Sequence, residues 1–159
     1  MTTKSDFSED EWTRIVRAPF VAGIAITLAD PGGPIEAAKE TMATLKSATN
    51  PPSREQLLAE VALEIQAQTQ QRTNPLKSFK PTKDEAPGQQ VLEELRSVQA
   101  IVAGRATPEE ATAFGQWLLA TSQAAADAAK DGGFMGFGAK QVSEGEQAML
   151  DQVREAVTT

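Results

Sequence analysis

Residues Thr107–Lys130 read TPEEATAFGQWLLATSQAAADAAK, and this stretch decides the fold class. Thr107 followed three residues later by Glu110 is a capping box: the hydroxyl accepts from an orphan backbone N–H while the acid reaches back to the cap's own N–H. Pro108 stands directly after the cap, where its missing N–H costs nothing. Behind it, Phe114, Trp117, Leu118 and Thr121 recur at helical spacing and run into alanines. A helix of about six turns follows, too long for a strand.

The same start signal recurs at Ser8 with Glu11, Ser53 with Gln56, and Ser143 with Glu146. Each leads into apolar residues spaced by three and four. Six helices result. The first covers Glu9–Ala29 through Ile15, Val16, Phe20, Val21, Ile24 and Leu28, and Pro19 predicts a kink or a break inside it. The second opens at Pro34 and runs to Ala48 with Ile35, Ala38, Met42 and Leu45 inward. The third spans Arg54–Gln71 on Leu57, Leu58, Val61 and Ile65. The fourth spans Gln89–Ala103 on Val91, Leu92, Leu95, Val98, Ile101 and Val102, with Gly104 as its stop. The fifth is Pro108–Lys130, and the sixth, Glu144–Val157, carries Met149, Leu150 and Val153. No run alternates with period two between turn signals. The expected fold is all-α, a single bundle of five to seven helices over residues 1–159. Its core is expected to include Ile24, Leu28, Leu58, Ile65, Leu95, Val98, Phe114, Trp117, Leu118 and Leu150.

Length and composition agree. A chain of 159 residues suits one domain and buries about 70% of its unfolded surface without a staple. The 40% apolar and 23% charged content lies in the globular range. There is no His, Cys or Tyr. Imidazole and thiolate nucleophiles, serine triads, the usual zinc sites and histidine- or cysteine-held haem are thereby excluded. A net charge of −7 argues against a nucleic-acid footprint. The N-terminus lacks the layout of a signal peptide, and the apolar run Ala18–Ala29 falls short of the roughly 20 residues of a membrane span. The expected setting is cytoplasmic, without a transmembrane segment; oligomeric state is not readable.

Between the third and fourth helices lies a Pro- and Lys-rich stretch, Thr73–Gly88 (TNPLKSFKPTKDEAPG), which divides the chain into two three-helix halves. It reads as a solvated connection, or as a docking strip in which Lys77, Lys80 and Lys83 meet an acidic partner. A second distinctive segment, DGGFMGFGAKQV (131–142), alternates glycines with Phe134, Met135 and Phe137. It lacks the G-K-[ST] of a phosphate loop and does not follow a strand, so nucleotide readings fail. Either it closes one end of the bundle or its large side chains form an apolar protein contact.

The halves echo each other. Ala29-Asp30-Pro31-Gly32-Gly33 and Ala129-Lys130-Asp131-Gly132-Gly133 both end a long helix, and each precedes a helix with early acids: Glu36 and Glu40, or Glu144 and Glu146. The plain reading is helix stops with left-handed glycines and acids favoured by the dipole. The alternative is hard-oxygen ligation of Ca²⁺ or Mg²⁺ by Asp30, Asp131, Glu144 and Glu146, although the spacing of a true calcium loop is absent. These turns resemble the tellurite-resistance TerB-like family, all-helical domains built from two related halves. The resemblance covers about half the chain and departs at Pro31, at Lys130 and between Gly133 and Ser143. It implies a stress-associated, non-enzymatic domain whose turn acids take a metal.

Function from sequence is therefore a non-catalytic intracellular domain acting through protein contacts. The alternatives are an apolar small-molecule or lipid binder with a cavity between helices, and a lysozyme-like glycosidase using a pair among Glu11, Glu36, Glu40 and Glu60. No catalytic residue and no cofactor is assigned.

Overall fold

The computed structural model describes residues 1–79, 86–130 and 142–158, without the side chains of residues 129 and 130. Among the described residues the chain forms a short 3₁₀ turn at Lys4–Asp6 and six α-helices, with no strand. They are α1 (Glu9–Ala29), α2 (Pro34–Ala48), α3 (Gln56–Gln70), α4 (Pro87–Arg105), α5 (Pro108–Lys130) and α6 (Glu144–Val157). The all-α bundle is the fold.

Three of the four capping boxes form. Ser8 Oγ accepts from the Glu11 N–H at 3.1 Å, Thr107 Oγ1 from Glu110 at 3.2 Å, and Ser143 Oγ from Glu146 at 3.2 Å; each acid returns to its cap's backbone. The fourth does not. Ser53 Oγ accepts instead from Glu55 N–H, two residues on, and α3 starts only at Gln56. That local turn satisfies the hydroxyl before a helix can use it. At the other end of α3, Gln71 is followed by Arg72 at φ 56°, with Thr73 N–H bonded to Gln68 C=O at 2.9 Å and Arg72 N–H to Thr69 C=O at 3.0 Å. This is a Schellman cap made by an arginine, a residue that pays the left-handed penalty glycine would avoid.

Other boundaries shift for physical reasons. Pro87 takes the first position of α4, where its ring suits the helix, so α4 starts two residues before Gln89. Gly104 does not stop α4, which continues to Arg105. Gly32 and Gly33 are not left-handed; Gly33 has φ −73° and caps α2 in extended geometry. Helix α1 runs through Pro19 as one element.

The core gathers Ile15, Ile26, Leu58, Ile65, Leu95, Val98, Phe114, Trp117, Leu118 and Leu150. Helix α1 packs on all five other helices, and α2 lies along α5. Gly23 makes the α1–α2 approach possible: a Cβ there would meet Thr44 Oγ1 at 2.3 Å. Gly115 does the same for α5 and α6, where a Cβ would meet Val157 O at 2.4 Å.

The expected core needs correction at α1 and α2. Leu28 is exposed and Ile24 only partly buried. In α2, Ile35 and Met42 are 74% and 73% exposed, Ala38 is exposed, and the buried positions are Glu40, Thr44 and Ala48. The helix is turned about its axis from the orientation its periodicity predicts. Polar anchors hold it that way: Trp117 Nε1 donates to Ser47 C=O at 2.8 Å, Ser47 and Thr121 hydroxyls meet at 2.8 Å, and the Thr27 hydroxyl donates to Glu40.

Candidate functional site

Three regions hold the groups that packing alone does not require: the outer face of α2, the corner where α1, α2 and α6 meet, and the junction of α1 with α4 and the 73–79 segment.

On the outer face of α2, Ile35, Ala38 and Met42 fall at spacings of three and four, so they form one solvent-facing stripe. A lone exposed apolar residue is ordinary. Two large ones over two turns, on a helix that buries a glutamate instead, are not.

The corner beneath α2 is acidic. Glu40 is 3% exposed and takes the Thr27 hydroxyl. Burial pushes its carboxyl above the usual range despite that bond, and the charges of Glu146, Glu36 and Asp30 push it further. Glu146 is 6% exposed; one oxygen accepts from Ser143 N–H at 3.3 Å, and Oε2 has no partner. The structure thus brings Asp30, Glu36 and Glu146 into the electrostatic reach of one buried glutamate that sequence reading gave no ligand role. Asp30 and Glu144 are exposed to solvent. Among the described residues, no group of three or more acidic side chains could hold a metal ion. Asp131 lies outside the described residues. A hollow of about 60 Å³ opens beside Glu40, walled by Phe20, Ile24 and Leu76.

The third region was not foreseen. Glu94 of α4 accepts from Arg14 Nε and Nη2 at 3.0 and 2.9 Å and from Arg17 Nη2 at 2.9 Å. Burial pushes the Glu94 carboxyl up, but the hydrogen bonds and charges of the two arginines outweigh it and hold the carboxyl below its usual range. Arg14 in turn is raised by its bonds to Glu94. Arg14 also donates to Ser97 Oγ at 2.7 Å. Arg17 is 8% exposed; it donates to Ser78 Oγ at 2.8 Å, and its guanidinium carbon sits 5.3 Å from the Phe79 ring centre. Its Nε is buried without a partner. The sequence shows two arginines three residues apart between the acidic first turn and the apolar run of α1. Nothing local marks Arg17 as buried, because its partners Glu94 and Ser78 lie far along the chain.

The segment from Thr73 is more than a connection over its described part. Asn74 Oδ1 accepts from Leu76 N–H at 3.0 Å, and consecutive turns close at Lys77 and Phe79. Leu76 and Phe79 pack on the core. Lys77 is exposed at the rim of a hollow of about 350 Å³ whose wall includes Arg17. Lys80 and Lys83, and Phe134, Met135 and Phe137, lie outside the described residues.

Of the acids considered for glycosidase chemistry, Glu40 is buried as described, Glu36 is partly buried in the first turn of α2, and Glu11 and Glu60 are engaged by other groups. Glu11 closes its capping box and pairs with Arg105 at 3.0 Å; the Ser8 backbone N–H is the main cause that holds it below the usual range. Glu60 accepts from Lys4 N–H at 2.8 Å and from Gln56 at 2.9 Å. Glu110 accepts from Thr2 backbone and hydroxyl as well as from Thr107, tying the N-terminus to α5.

Helix α1 is also long and apolar enough, by length and composition alone, to cross a membrane, which the shorter window Ala18–Ala29 did not register. In the bundle 67% of its most apolar 18-residue window is buried. No protein-family model, curated protein or solved structure matches the chain.

Proposed function

We propose that the chain is a non-catalytic intracellular domain that works by binding another protein through the outer face of α2. One observation carries this reading: Ile35 and Met42 face solvent while Glu40 and Thr44 of the same helix face the core. Exposing two large apolar side chains and burying a carboxylate both oppose folding. An arrangement that accepts both is reasonable when the stripe has a second surface to meet. The partner surface is an apolar groove or helix face that receives anchors two turns apart.

In this reading α1 is the central helix of the bundle and not a span, supported by its buried share and by the ion pairs of Arg14 and Arg17. The TerB-like resemblance adds a stress-linked, non-enzymatic role and rests on the turn motifs alone. A lipid-binding reading gains no support from the α1–α2 hollow, whose 60 Å³ holds about two waters.

Position-specific photo-crosslinking in the native cell tests the proposal. A photoreactive residue at Ala38 should give one discrete adduct with another protein, lost in Ile35→Ser/Met42→Ser. A probe at exposed Gln66, on α3, should not give it. A ladder of adducts common to both positions, or none at Ala38, contradicts the reading.

A further inference from the structure

We propose that the hollow between α1, the C-terminal end of α3 and the 73–79 segment binds the phosphate group of a small phosphate monoester. This site is separate from the α2 stripe and does not depend on it.

The argument begins with charge. The chain carries 22 acidic residues against 15 basic ones, yet among the described residues no acid lines this hollow, while Arg17 and Lys77 do. Arg17 and Lys77 on the wall, with Arg14, which does not line it, stand against Glu94, which the two arginines share. The nearby Glu11 is paired by Arg105. Among the described residues these groups leave an excess of two positive charges. A phosphate monoester carries about −1.5 to −2 at neutral pH, which matches it; one carboxylate would leave half of it uncompensated.

The donors point the same way. Arg17 spends Nη1 on Ser78 and Nη2 on Glu94, and its buried Nε is left unpaired. That Nε is closed off from the hollow, whereas each Nη nitrogen carries a second N–H beyond the bond it makes. Ser78 Oγ accepts from Arg17, so its own proton is free to donate outward. Asn74 uses its carbonyl on Leu76 N–H, which leaves the amide N–H₂. Lys77 forms no ion pair among the described residues. The available groups are thus donors, fitted to an acceptor-only ligand with several oxygens. The frame is fixed by the Schellman cap at Arg72, which turns the chain from Gln68 into Thr73 and Asn74 beside Arg17. About 350 Å³ exceeds a bare phosphate and leaves room for the carbon skeleton that carries it.

The test is calorimetric titration of the full chain, at fixed ionic strength, with glycerol 3-phosphate, inorganic phosphate and succinate. Glycerol 3-phosphate should bind saturably at one site and more tightly than the other two. Lys77→Glu, at an exposed position that leaves the fold intact, should weaken it about tenfold. Arg17→Lys, which keeps the charge but loses the paired Nη donors, should weaken it as well; if that variant does not fold, Lys77→Glu decides. No saturable binding by glycerol 3-phosphate overturns the proposal. So does binding that Lys77→Glu leaves unchanged, tighter binding of succinate, or tighter binding of inorganic phosphate, which would make free phosphate the ligand.

Discussion

Helices α4 and α2 both rest on α1, and each sets a glutamate against it, Glu94 partly buried and Glu40 fully, with opposite electrostatics. Glu94 of α4 meets two guanidinium groups. Glu40 of α2 meets one hydroxyl and three further acids. Helix α4 turns Val91, Leu92, Leu95, Val98 and Val102 inward, whereas α2 turns Ile35 and Met42 out and keeps only Leu45 against the core among its large apolar residues. Helix α4 is matched to the bundle in apolar burial and in the charge of its glutamate, although Gln99 Oε1 is buried without a partner. The other gives up apolar burial and charge balance, and what it keeps in return is an outward apolar face. The difference separates a helix that serves the fold from one whose orientation asks for a partner.

The comparison breaks most visibly at Glu94. Glu94→Gln strands two buried or half-buried arginines without a counter-charge and should cost about 3–5 kcal/mol in denaturant unfolding. The pH dependence has a defined sign. Because the folded-state pKa of Glu94 is depressed, its contribution is present at neutral pH and is lost as pH falls through and below the usual carboxylate range. A loss within experimental error at neutral pH would mean the ion-pair cluster is only a surface contact.

The next effect concerns the α6 cap that places Glu146 beside α2. Ser143→Ala removes the acceptor for Glu146 N–H and should cost about 1 kcal/mol. Ser53→Ala, at the box that does not form, should stay within about 0.5 kcal/mol. Equal losses at both would restore the fourth box and move the start of α3.

Glu40→Gln sharpens the contrast with Glu94 by reversing its sign. The folded-state pKa of Glu40 is raised, so the folded chain holds that proton more tightly, and the stability this gives at acid pH is lost as pH rises through the folded value. Glutamine keeps an acceptor for the Thr27 hydroxyl without the charge. The variant should melt higher than the parent at pH 7, and the gain should vanish near pH 4. A lower melting temperature at pH 7 would mean that Glu40 has an unseen cationic partner.

The helices were legible because capping boxes and three-four spacing are local. Phe114, Trp117 and Leu118 were placed in the core because one face of α5 carries nearly all its large apolar residues. The same logic failed on α2, whose moment points one way while Trp117, Thr121 and Thr27 hold its polar side the other. Those three anchors come from other helices, so nothing within α2 reveals them. Arg17 was passed over for the same reason. Its partners Glu94 and Ser78 lie 77 and 61 residues away, and a buried arginine is recognisable only once its carboxylate is in view. Lys77 was singled out from a local run of lysines, and the structure puts it on the rim of the hollow that Arg17 lines.

The orientation of α2 can be tested without knowing any partner. Thermal and denaturant unfolding of Ile35→Ser/Met42→Ser should match the parent protein, within the roughly 0.5 kcal/mol typical of surface changes, because both side chains already stand in water. If the stripe instead belongs to the core, as helical periodicity alone would place it, the double variant will lose several kcal/mol, on the scale of about 2–5 for each large core side chain removed.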